Sequence, residues 1–191
     1  MSKVICVFGN SSPPPGSTDY EEALALGALL ARAGFAVCSG GYYGAMEAVS
    51  RGAREAGGHT IGMTTPFYQL SANSYLSEEI PVPRWQDRLF ALVEKGDGYV
   101  VLKGGTGTLL ELAALWESLN KRAIGARPCV AMDFWEPVLH CVRAVEKERR
   151  GRTWHEFGAG LIQVARSPEH AVELLVQALA CATIAHTRRN Q

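Results

Sequence analysis

Twelve consecutive residues, Val100-Val-Leu-Lys-Gly-Gly-Thr-Gly-Thr-Leu-Leu-Glu111, constrain the fold more than any other stretch of the chain. An apolar run stops at Lys103, three glycines fall within four residues, and an apolar-periodic segment from Leu109 to Leu119 begins. That is the pattern of a strand running into a tight turn and out into a helix. A helix N-terminus presents unpaired N–H groups and a partial positive charge, so the turn is a natural phosphate cradle. Gly104, Gly105, Thr106, Gly107 and Thr108 are therefore candidate phosphate ligands, through backbone N–H groups and two hydroxyls. The turn is neither GxGxxG nor GxxxxGK[ST], since Lys103 precedes the glycines instead of following them. A plain strand-to-helix turn with Thr108 as N-cap remains the competing reading. Glu111 carries the same ambiguity. One turn into the helix it sets a carboxylate beside the cradle, yet Thr108-Leu-Leu-Glu111 also reads as a capping box.

The same strand–helix alternation runs through the whole chain. Strands are expected at Val4–Phe8, Phe35–Ser39, Thr60–Met63, Tyr99–Leu102, Pro128–Met132 and Leu161–Ala165. Helices are expected at Asp19–Ala33, Ala45–Ala56, Trp85–Glu94, Thr108–Asn120, Glu136–Lys147 and Pro168–Ala180. Thr18-Asp-Tyr-Glu21 opens the first helix as a capping box, and Gly34 closes it. Continuous apolar strands between helices mean a parallel sheet covered on both faces, and right-handed crossovers make it doubly wound and Rossmann-like. Thr64–Pro83 interrupts the rhythm and reads as a surface loop with a short strand near Ile80–Val82. One α/β domain over residues 1–180 is expected, followed by a frayed tail over 181–191.

Ligands bind such sheets at the carboxyl ends of the strands. Three glycine-bearing loops fall there, Gly9–Gly16, Ser39–Gly44 and the Lys103–Thr108 turn, so three helix N-termini are expected to share one crevice. Gly9, Ser11, Ser12, Gly40 and Gly41 are candidate ligand contacts on the first two loops. Met46 and the Tyr42-Tyr43 pair are candidates for a base pocket, with packing between helix and sheet the alternative and for Met46 the simpler one. Arg88 flanks the apolar face formed by Trp85, Leu89, Leu92 and Val93, where composition alone predicts an exposed side chain.

Composition narrows the remaining classes. Apolar residues make up 47% and charged residues 20%, which describes a globular chain. Nineteen basic residues balance nineteen acidic ones, so neither nucleic acid nor an anionic membrane is expected as partner, and anion binding has to be local. The five cysteines form no CxxC pair and the five histidines no HExxH spacing, so neither a disulfide framework nor a metal site is expected. No signal-peptide pattern and no long apolar run is seen, which predicts a cytoplasmic protein.

These motifs together resemble the Lonely Guy family of Rossmann-fold nucleotide-binding proteins, long labelled lysine decarboxylases. The family signature PGGxGTxxE stands here as Lys103-Gly-Gly-Thr-Gly-Thr-Leu-Leu-Glu111, with only the proline replaced. Val4-Ile-Cys-Val-Phe-Gly-Asn-Ser-Ser12 is similar to the family's first strand and loop, and Ser39–Ser50 to its second glycine loop. The family's arginine–lysine pair falls on Arg88 and Leu89, and the likeness covers roughly residues 3 to 145. The resemblance implies a phosphoribohydrolase that cleaves the N-glycosidic bond of AMP or of a cytokinin riboside 5′-monophosphate, without a cofactor. It implies Arg88 and Glu111 as the catalytic pair and Gly104–Thr108 as holder of the 5′-phosphate. It also implies a homodimer, in keeping with the wide apolar stripe Leu109, Leu112, Leu115, Trp116 and Leu119. The alternative is a non-catalytic binder or carrier of a phosphorylated nucleotide or molybdopterin-type cofactor, which Glu47 after Met46 resembles more closely. A pyridoxal-phosphate decarboxylase is not expected, because no sequence context suits its lysine.

Overall fold

The computed structural model describes residues 2–148 and 160–189. Seven strands form one sheet in which every neighbouring pair is parallel. They are β1 (Val4–Phe8), β2 (Ala36–Ser39), β3 (Thr60–Thr64), β4 (Glu78–Pro81), β5 (Gly98–Val101), β6 (Cys129–Met132) and β7 (Ile162–Ala165). Their order is β4-β3-β2-β1-β5-β6-β7, so the chain winds outward one way from β1 and then the other way from β5. The loops leaving β1 and β5 consequently part company, and a crevice opens between them.

The helices are α1 (Thr18–Arg32), α2 (Ala45–Glu55), α3 (Trp85–Lys95), α4 (Thr106–Asn120), α5 (Glu136–Glu148) and α6 (Pro168–Arg189). Side-chain alternation along the strands feeds two cores. Ile5, Val7, Val37, Val100 and Val130 pack under α1, α2 and α6, while Cys6, Phe8, Cys38, Tyr99 and Val101 pack under α3, α4 and α5. Burial of strand residues on both faces is why these runs are continuously apolar. Each fully buried large aliphatic side chain contributes about 1.5–3 kcal/mol.

Several local expectations change. Ser17, one residue earlier than expected, caps α1 by accepting from the Tyr20 N–H at 3.4 Å. Glu21 accepts instead from the Gly16 N–H at 3.2 Å, so no reciprocal box forms with Thr18. Gly34 does close α1: at φ +86° it lets its own N–H reach the Ala31 carbonyl and the Phe35 N–H reach Leu30. The edge strand β4 pairs Glu78–Pro81 with Ile61–Thr64, earlier than the expected Ile80–Val82. Its proline sits on the outer edge of the sheet, where a missing donor costs least. At the other end of the chain α6 continues past Ala180 to Arg189, while 190 and 191 lie outside the described residues.

α1 and α2 cross almost backbone to backbone. A Cβ on Gly52 would enter the Leu24 carbonyl, and one on Gly27 would enter the Val49 carbonyl. Close approach here holds α2, and with it the second glycine loop, against the sheet.

Candidate active site

The crevice between the β1 and β5 loops has a volume of about 390 Å³. Gly9, Asn10 and Ser11 line it from the β1 loop, Gly105 to Thr108 and Glu111 from α4, and Arg88 from α3. Tyr42, Tyr43, Met46, Tyr68 and Leu70 complete the wall.

α4 begins at Thr106, two residues earlier than expected, with Gly105 as its N-cap and no side chain satisfying the cap. Thr108 is therefore inside the first turn and cannot cap it, which removes the Thr108–Glu111 capping box. Its side chain is buried, and a Cβ on Gly104 would run into it. The first helical bond at this end runs from the Leu109 N–H to the Gly105 carbonyl at 2.9 Å, so the N–H groups of Thr106, Gly107 and Thr108 are left for another acceptor. No acidic residue occupies the first turn of α4. Cβ atoms on Gly105 or Gly107 would meet nothing within 4 Å. Internal packing does not demand glycine there, whereas close approach of a ligand would.

The other two helix N-termini differ. α1 is capped by Ser17, and Ser12, Gly16 and Thr18 do not line the crevice, so the expected convergence of three helices reduces to two. α2 has Gly44 as N-cap at φ +66° without a side-chain cap, and Glu47 in its first turn. Glu47 accepts a 2.9 Å hydrogen bond from the Tyr20 hydroxyl. A carboxylate at that helix end already complements its dipole, which leaves α4 the better anion site.

Arg88 is 7% exposed, contrary to the composition-based expectation. Its Nη2 donates to the Gly40 carbonyl at 2.8 Å and its Nε to the Met63 carbonyl. The guanidinium lies 5.4 Å from the Tyr42 ring centre and 5.7 Å from that of Tyr68. Two carbonyls and two rings thus fix the cation without neutralising it. Gly40 is held to glycine by this arrangement, since a Cβ would strike Arg88 and the Met46 sulfur. Gly41 packs behind it on Gly62. Neither Gly40 nor Gly41 lines the crevice; they support the residues that do.

Glu111 is half-buried, and no described side chain hydrogen-bonds it. Removal from water pushes its carboxyl up to about 7, with the Arg88 charge pulling the other way. Perturbation of this kind in a cleft marks a candidate functional carboxylate. Lys103 points elsewhere: it pairs with Asp19 at 3.2 Å and lies over the Phe134 ring. Leu89 and Asp87 are also outside the lining, Asp87 pairing with Arg84 at 3.7 Å. The residues that occupy the places of the family's proline and lysine therefore alter the surroundings of the site and not its wall.

Tyr68 and Leu70 were not identifiable from the chain as individual contacts. They reach the crevice because Thr65 caps a short 3-10 turn, Pro66–Tyr68, and Gln69 reverses the chain at φ +53°. The Tyr42 hydroxyl bonds both backbone groups of Thr65, which pins that turn over the site. The local signal was an aromatic pair, Phe67-Tyr68, with Leu70 close behind, in a loop of little periodicity.

Comparison with known proteins gives this geometry a family. Residues 2–146 match the SLOG cluster4 family. The cytokinin riboside 5′-monophosphate phosphoribohydrolase of Mycobacterium tuberculosis is 33% identical over 134 residues, 69% of this chain and 71% of that protein. A probable cytokinin riboside 5′-monophosphate phosphoribohydrolase of Oryza sativa subsp. japonica is 32% identical over 124 residues, 62% of this chain and 55% of its own length. The chain thus spans about half the length of the rice relative. The molybdenum cofactor binding protein from Rippkaea orientalis superposes with a TM-score of 0.73 at 24% identity, covering 94% of this chain and 98% of that one. The Moco carrier protein of Chlamydomonas reinhardtii superposes with a TM-score of 0.65 at 24% identity, covering 94% and 99%. At these identities the two structures establish a shared fold alone. The sequence match over most of the chain, joined to this sheet order and crevice, places the protein in the SLOG cluster4 family, of Lonely Guy type.

Proposed function

We propose that the protein is a nucleoside 5′-monophosphate phosphoribohydrolase acting on AMP or an AMP modified on its base. The observation that carries this reading is a carboxyl held near neutrality at Glu111, with a fixed Arg88 cation nearby and an uncapped helix N-terminus in the same crevice. The names of the sequence relatives support it. The 5′-phosphate is held by the N–H groups of Thr106, Gly107 and Thr108. The base lies toward Tyr42, Tyr68, Met46 and Arg88, and the ribose passes over Glu111.

The C1′–N9 bond breaks with its electron pair moving onto the purine, and Arg88 balances the charge growing there. The oxocarbenium-like ribose is stabilised by ionised Glu111. Water adds to C1′ and gives its proton to Glu111, which passes it to solvent as the purine takes one up. Base and ribose 5-phosphate result.

Chromatography of purified protein incubated with AMP tests this. Equal amounts of adenine and ribose 5-phosphate are expected, with Glu111→Gln slower by about a hundredfold or more. Tight AMP binding without adenine release would overturn the hydrolase reading in favour of a non-catalytic nucleotide binder.

A homodimer is part of the same proposal. Leu112, Leu115, Trp116 and Leu119 are accounted for by the core, but Leu109, Leu110, Val142 and Val145 on α4 and α5 remain exposed. Beside them the Trp116 indole N–H and one Glu146 oxygen are buried without partners. A second copy laid on this face would cover the four exposed side chains.

A further inference from the structure

We infer that Asn10 is a phosphate-contacting specificity residue of this site, its side-chain amide donating to a phosphoryl oxygen of the ligand. The inference rests on the proposed anchoring of a nucleotide phosphate at α4. Asn10 sits where the β1 loop, the β5 loop and α2 meet. Its backbone N–H donates to the Lys103 carbonyl at 3.3 Å, which ties it to the residue before the glycine turn. Its carbonyl accepts from the Ala45 N–H at 2.9 Å, which ties it to the start of α2. Gly44 makes this approach possible, since a Cβ there would overlap the backbone of Asn10 and Ser11.

The side chain is then oriented by one further bond. The Asn10 Oδ1 accepts from the Ser12 N–H at 3.1 Å, so its oxygen is engaged within the loop. What remains is the Nδ2 amide group, two N–H donors with no partner among the described residues. Asn10 lines the crevice together with Gly105, Thr106 and Gly107. A donor-only group in the wall of the crevice is open to an acceptor that a ligand brings. An anionic oxygen held at the α4 N-terminus is the group the proposed substrate supplies, and a hydrogen bond to it is charge-assisted.

Asn10→Asp separates this role from a structural one. Aspartate keeps the acceptor for the Ser12 N–H and nearly the same shape, but it replaces the donor with a negative oxygen facing the phosphate. Isothermal titration with AMP and with adenosine provides the test, with the Asn10 parent and the Asn10 variant both carrying Glu111→Gln so that AMP stays intact. The parent should bind AMP more tightly than adenosine. Asn10→Asp should weaken AMP binding by about tenfold to a hundredfold, with adenosine affinity and melting temperature unchanged. Unchanged AMP affinity, or equal losses for AMP and adenosine, would overturn the inference while leaving the phosphate anchor standing. A parent binding AMP no better than adenosine would overturn the anchor as well. If Asn10→Asp does not fold, Asn10→Ala serves, because it leaves no side-chain donor at this position. It should lose several-fold in AMP affinity alone, and no such selective loss would overturn the inference.

Discussion

Burial raises the Glu111 carboxyl from 4.5 to about 7, while the Arg88 charge draws it down. Because the folded protein binds this proton more tightly than the unfolded chain, the carboxyl favours folding below the unfolded value. That contribution is lost as pH rises through about 7. Above that value an ionised Glu111 costs at most about 3 kcal/mol. Glu111→Gln should therefore raise the melting temperature at pH 8 and leave it nearly unchanged at pH 4, below the unfolded value, as read by calorimetry. The proposed chemistry requires the opposite state, since only the ionised carboxylate accepts a proton from water. Turnover of AMP should rise between pH 6 and 8 with a midpoint near the Glu111 value, unless bound phosphate moves it higher. Stability and activity would thus follow opposite slopes across the same window, and parallel slopes would count against this role for Glu111.

Glycines at helix contacts and glycines at the crevice fall into different classes, although the sequence writes them alike. Gly52 lies in α2 against the Leu24 backbone, where an added methyl has nowhere to go. Gly52→Ala gains roughly 1 kcal/mol of helix propensity, yet overpacking of a rigid contact costs about 1–3 kcal/mol. A lower urea midpoint is the expected outcome. Gly107 in the first turn of α4 has nothing within 4 Å. Gly107→Ala should keep or slightly raise the urea midpoint while weakening AMP binding, because its methyl projects into the space proposed for the phosphate. Loss of stability without loss of binding in that variant would contradict the open cradle. α4 begins at Thr106 without a side-chain cap, so its first N–H groups are left to water or to a bound acceptor.

For the molecule as a whole, the exposed Leu109, Leu110, Val142 and Val145 make the α4–α5 face the proposed contact between two copies. Light scattering behind size exclusion should give twice the monomer mass, and Leu110→Asp with Val142→Asp should return it to one. A monomeric wild type at micromolar concentration would end that proposal. Among the described residues no helix is long and apolar enough to cross a membrane. The sheet and its layers were legible in advance because strands buried on both faces are written as continuous apolar runs, and Val4–Phe8 matches to the residue. Cap positions were harder to read. Ser17 against Thr18, and Gly105 against Thr108, differ by a residue or two of similar chemistry, and the choice is made by how the preceding loop packs.

By itself the sequence determined the alternation of strands and helices and the glycine turn after β5, which are written in local periodicity and spacing, while resemblance to a family singled out Arg88 and Glu111 as the proposed pair. Only the tertiary structure decided that Arg88 is buried between two carbonyls and two tyrosine rings, and that α1 turns its capped end away. It alone showed Lys103 leaving the cradle for Asp19, and Asn10 joining three loops with its amide unpartnered. Each of these depends on groups far apart in the chain meeting at one edge of the sheet. Their desolvation and hydrogen-bond partners, and hence the charge state of Glu111, do not exist until the fold brings them together.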